Sequence, residues 1–138
     1  MKWFGVQIFV LALACFASGC TPVYVSKTKE FSAQIKAKLD PAKLQAWALK
    51  VLPQHINDNE VPLSEVPEEV KTCFDPPPAV LLAGWEGIPE QALMISWGSG
   101  FGHWGIVVGS KSFPMPRDTD RNYYVPWVPG VFFYHQKK

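Results

Sequence analysis

Three cysteines and three histidines are all that this 138-residue chain offers for metal or redox chemistry. Cysteines 15, 20 and 73 are too few for a disulfide scaffold. Histidines 55, 103 and 135 share no ligand spacing with one another or with cysteine, so a metal site is not expected, and neither is a cofactor. There is also no excess of basic charge. Lysine and arginine number 13 against 12 acids, for a net charge of +1, so nothing marks a nucleic-acid partner. No apolar run reaches the length of a membrane-spanning helix, since the longest, Trp3 to Phe16, is too short for one. Gly98, Gly100 and Gly102 lack the spacing of a dinucleotide fingerprint, and a strand, not a helix, follows them. No internal repeat is visible.

What the chain does have at its start is a short leader. Lys2 precedes the uncharged run Trp3 to Phe16, which ends in Ala17-Ser18-Gly19-Cys20. A positive start, a short apolar core and small residues at its end make residues 1–19 an export signal that is removed. The tail resembles the lipobox of bacterial lipoproteins, with alanine at position 17 where that family usually has leucine. The resemblance implies that Cys20 is lipidated with diacylglycerol, carries fatty acyl chains such as palmitate, and becomes the mature N-terminus. Thr21 is not the aspartate that retains such proteins in the inner membrane. The implied address is therefore the cell envelope, lipid-anchored, facing the periplasm, with the outer membrane favoured. Beyond the lipobox, the mature chain resembles small uncharacterised bacterial lipoproteins, a likeness that carries an address and no activity.

Removal of residues 1–19 leaves 119 residues with 12 basic and 12 acidic side chains. That length suits one domain, residues 27–138, joined to the lipid by a tether, residues 20–26. Charge is unevenly spread. Residues 27–50 carry six lysines against Glu30 and Asp40, while residues 58–90 carry eight acids against Lys71. A lysine-rich segment beside a lipid anchor could lie against an anionic membrane surface, but a solvated helix face is the preferred reading.

Helical patterning comes first along the mature chain. Phe31, Ile35 and Leu39 recur every four residues with Ser26 as N-cap, and Asp40-Pro41 opens a second helix that runs to about Leu52 before Pro53. Residues 53–78 hold six prolines and half of the acids, with a helical turn or two that has Ser64 as its cap and ends at about Cys73. Strand patterning follows. Ala79 to Trp85, then two arms within residues 91–109, then Val131 to His135 after a Pro129-Gly130 turn, predict an antiparallel sheet of about four strands. The fold class is α+β, with N-terminal helices packed on that sheet.

Residues 91–109, QALMISWGSGFGHWGIVVG, are the centre of this reading. In the first arm Leu93, Ile95 and Trp97 alternate with Ala92, Met94 and Ser96. In the second, Trp104, Ile106 and Val108 alternate with His103, Gly105, Val107 and Gly109, so both faces are apolar and both are covered. With a loop at Gly98 to Gly102, Trp97 should sit opposite His103 and share its face. Gly98, Gly100, Gly102, His103 and Trp104 are then structural residues of the loop, with at least one glycine at positive φ. His103 would hydrogen-bond the loop backbone or stack on Trp97. The gaps left by Gly105 and Gly109 suit a large aromatic, a helix or a ligand.

The same segment is similar to the histidine hairpin of NlpC-type cell-wall peptidases and of lecithin:retinol acyltransferase-like enzymes. That resemblance implies His103 as a base, and Cys73 is the one cysteine available as a nucleophile, for a cysteine-dependent hydrolase or acyltransferase. Cys73 lacks the families' setting, being followed by Phe-Asp-Pro and not preceded by aspartate. Its simpler role is that of a small buried hydrophobe. The leading reading is a non-enzymatic envelope module that binds or scaffolds an envelope protein or a cell-wall glycan through its sheet and aromatic loops.

Overall fold

A computed structural model describes residues 19–98 and 102–137. The leader, apart from Gly19, and Gly100 of the central loop lie outside the described residues. Helices α1 (Val23–Lys38) and α2 (Pro41–Val51) come first. A proline-rich connection holding the single-turn helix α3 (Glu68–Lys71) leads to five strands. These are β1 (Ala79–Trp85), β2 (Ile88–Trp97), β3 (Trp104–Val108), β4 (Asn122–Val128) and β5 (Val131–Gln136). They form one sheet in the order β1-β2-β3-β5-β4, antiparallel throughout. The architecture is α+β, with five strands where about four were expected. The additional strand is β4, whose Pro126 disguises it in sequence. A proline is tolerated there because β4 is an edge strand and the missing N–H faces away from its partner.

Two further expectations need correction. Residues 21–26 are not all tether, because α1 begins at Val23 with Pro22 as its N-cap, and Ser26 lies within the helix. Tertiary contacts hold this first turn: Tyr24 packs on Tyr123 with ring centroids 5.2 Å apart, and the Lys137 ammonium stands 5.3 Å from the Tyr24 ring. Ser64 caps nothing. The acidic segment forms a 3-10 turn at Leu63–Glu65 and then α3, for which Pro67 is the N-cap. The second helix follows the expected chemistry, with Asp40 Oδ1 accepting from the N–H groups of Ala42 at 2.8 Å and Lys43 at 3.2 Å.

The helices cover one face of the sheet. Phe31, Ile35, Leu44, Ala48 and Val51 bury themselves against Leu93, Ile95, Ile106, Val131 and Phe133, forming the main core. Gln45, itself buried, fastens α2 to the sheet. Its Nε2 donates to the Gly109 carbonyl at 2.8 Å and to the Pro129 carbonyl at 3.1 Å, tying the helix to two loops at once.

The connection after α2 closes the β1 edge. Val61 N–H donates to the Val80 carbonyl at 2.9 Å and Leu82 N–H to the Asn59 carbonyl at 3.0 Å, so the outer side of β1 is partly paired. His55 anchors this segment, with Nδ1 2.9 Å from Asp58 Oδ2 and Nε2 2.8 Å from Glu65 Oε2. Hydrogen bonding to Glu65, then to Asp58, raises the His55 pKa above its ordinary 6.5. A folded-state pKa above the unfolded one makes the contribution complete below pH 6.5 and lost as pH rises through the folded value. The melting temperature should therefore fall between pH 6 and pH 8.5, and the fall should shrink in His55→Gln. Parallel pH profiles of the two proteins would refute this role.

Candidate functional site on the open face of the sheet

The face of the sheet away from the helices is incompletely covered. Ala92, Val107, Phe113, Tyr124, Phe132 and Tyr134 make a second, smaller core there. Gly105 of β3 and Gly109 just after it explain how it is built. A Cβ on Gly109 would stand 2.5 to 2.9 Å from the Phe113 side chain, and one on Gly105 would stand 3.2 Å from the Tyr134 ring, so aromatics occupy both gaps. Phe113 reaches its place from the loop after β3, where its N–H donates to the Ser110 carbonyl at 2.9 Å.

Beside this small core lies a cavity of about 490 Å³. Leu81, Ala83 and Met94 line its apolar side, and Ser96, Asn122, Tyr124, Tyr134 and Gln136 line its polar side. Trp85 and Tyr124 stand where it meets a second hollow of about 650 Å³ beneath Pro114 and Arg117. Trp85 Nε1 donates to Tyr124 Oη at 3.0 Å and its ring packs edge-on against Phe113 at 5.6 Å, which fixes the indole. Tyr134 is 2 % exposed. Burial pushes its phenol up to about 12, with the neighbouring Ser96 hydroxyl acting the other way. The phenol oxygen nonetheless makes no hydrogen bond of good geometry within the protein. An unmade bond at so buried a group is costly, and this atom shares that state with the indole nitrogen of Trp97.

The central loop corrects the expected register. Trp97 pairs with Trp104, not with His103, and the two indoles stack on the helix-side face with centroids 5.6 Å apart and planes 22° apart. Stacking two large rings in the main core outweighs the shorter loop that the sequence suggested. His103 therefore precedes β3. Its N–H donates to Gln136 Oε1 at 3.3 Å and its carbonyl accepts from Gln136 N–H at 2.9 Å, and it lines the open-face cavity. Gly98 and Gly102 adopt positive φ, 93° and 147°.

Cys73 and His103 have different surroundings. Cys73 is 2 % exposed within the main core and is absent from the lining of the cavity that His103 faces. Burial raises the Cys73 thiol, with nearby Lys38 acting in the opposite direction, so the group is held as a thiol and not as a nucleophilic thiolate. Cys20 is exposed, three residues before α1, and has no disulfide partner among the described residues. No group of three or more His, Cys, Asp or Glu side chains able to hold a metal ion occurs among the described residues. No helix among them is long and apolar enough to cross a membrane.

Sequence reasoning located Trp85, Ser96 and Tyr124 on strands or aromatic runs without recognising a common site. Four strands, β1, β2, β4 and β5, contribute to it, and only the β3–β5 pairing sets Tyr134 opposite Gly105. Comparison with family models, with curated proteins and with solved structures finds no match to this chain.

Proposed function

We propose that this protein is a non-enzymatic binding module of the bacterial cell envelope, anchored by lipid on Cys20, whose ligand enters the open face of the sheet. The observation that carries the binding role is the cavity beside Trp85 and Tyr134, with its unpartnered phenol. Concave, largely apolar sites with a few convergent polar groups are where small molecules bind. The anchor is supported by the leader, by the lipobox-like Ala17-Ser18-Gly19-Cys20 and by the exposure of Cys20 immediately before the folded domain.

Fractionation tests the anchor. The wild-type protein should sediment with membranes and carry the mass of a fatty-acylated cysteine, and Cys20→Ala should abolish acylation and leave the protein soluble or as unprocessed precursor. Processed Cys20→Ala that still sediments with membranes as the wild type does would refute lipid anchoring at this residue.

A further inference from the structure

We infer that the ligand of the open-face cavity is an uncharged carbohydrate whose ring lies against the Trp85–Tyr124 pair. This rests on the binding-module reading and gives it a ligand class. Among the described residues that line the cavity there is no lysine, arginine, aspartate or glutamate. An ammonium group would lose its hydration there with no carboxylate in return, and a phosphate or carboxylate would meet no permanent cation, only the imidazole of His103. A purely apolar ligand fits no better. Ser96, Asn122 and Gln136 present hydroxyl and amide groups, and although Gln136 Oε1 already accepts from His103 N–H, an acyl chain would leave the Gln136 amide donors and the Asn122 amide dehydrated without a new partner.

A sugar meets both requirements. Its axial C–H groups give an apolar face suited to an aromatic plane, while its hydroxyls donate and accept around the rim. Trp85 supplies the plane already fixed by Tyr124 and Phe113, so little side-chain freedom is lost on binding. Asn122 and Gln136, paired in register across β4 and β5, stand at one end of the cavity. Tyr134 Oη lies at its floor with an unused donor, and a ligand oxygen reaching that depth completes the hydrogen bonding of the site.

The test uses the mature lipoprotein in polyoxyethylene detergent, titrated with a neutral N-acetylglucosamine tetrasaccharide and separately with palmitate, by tryptophan fluorescence and calorimetry. Saturable binding of the tetrasaccharide is expected, weakened roughly tenfold by Trp85→Ala and by Asn122→Ala, the change that follows from losing one good contact. Asn122 is only half-buried at the start of an edge strand, so its variant keeps the test valid if Trp85→Ala does not fold. Binding that both variants leave unchanged overturns the site. Palmitate binding without sugar binding overturns the ligand class and leaves the binding module standing. Binding of neither overturns both.

Discussion

Gly105→Ala is expected not to accumulate as folded protein. Gly105 sits in β3, the middle strand of the sheet, paired with Ser96 on one side and Tyr134 on the other. A Cβ built there stands 1.8 Å from the Ile95 carbonyl oxygen and 2.9 Å from the Ile95 carbonyl carbon. Both are backbone atoms, so no rotamer change relieves the clash and β2 must move away from β3. Those strands carry Leu93, Ile95, Trp97, Ile106 and Val108, all buried in the main core. A domain of this kind is stable by only about 5–15 kcal/mol, and separating its two central strands removes most of that. Soluble yield and the melting temperature of Gly105→Ala measure the effect. A folded variant melting within a few degrees of the wild type would contradict the register described here.

Phe133→Ala should be folded at best marginally, with a loss of about 3–5 kcal/mol. Phe133 is fully buried in the main core, where α1 and β4 both meet β5. Trp127 of β4 stacks on it at 5.1 Å, Phe31 of α1 meets it edge-on at 6.2 Å, and the Lys36 ammonium stands 5.4 Å from its ring. Truncation leaves a ring-sized void that α1 and β4 cannot close together, because they reach it from different sides. Denaturant unfolding should show a lower midpoint at an unchanged slope. Phe133→Leu, which restores most of the volume, should recover more than half of the loss. Equal losses in both variants would place the stabilisation elsewhere.

Both expectations bear on how much of this molecule is legible in its sequence. The helix-side core is readable because its periodicities are local: Phe31-Ile35-Leu39 and Leu93-Ile95-Trp97 each declare a face without knowledge of the partner. The Asp40-Pro41 helix start is readable for the same reason, since a cap and its acceptors lie within a few residues. What escapes is set by distance along the chain. The Trp97–Trp104 pairing depends on stacking across a loop, and the β4 strand hides behind Pro126 because an edge position is a tertiary property. Gln45 reads as an ordinary helix-surface residue, yet it is buried on carbonyls 64 and 84 positions away. The candidate site is of this second kind. Trp85, Ser96, Asn122 and Tyr134 come from four strands and share no spacing, so their meeting follows only from strand order. The resemblance of residues 91–109 to a catalytic hairpin is local in the same way: it marks His103, whereas Cys73 is buried in the main core and is not in the lining of the cavity that His103 faces.

The central claim, that the helix-free face of the sheet is the binding face, is tested most directly by amide chemical-shift mapping of the folded protein during titration with neutral glycan fragments released from bacterial cell wall. Saturating shifts gathered at Met94, Ser96, Asn122, Tyr124 and Tyr134, with the amides of α1 and α2 unmoved, are the predicted result. Shifts confined to the lysine-bearing surface of α1 and α2, or none at any glycan concentration, would contradict it.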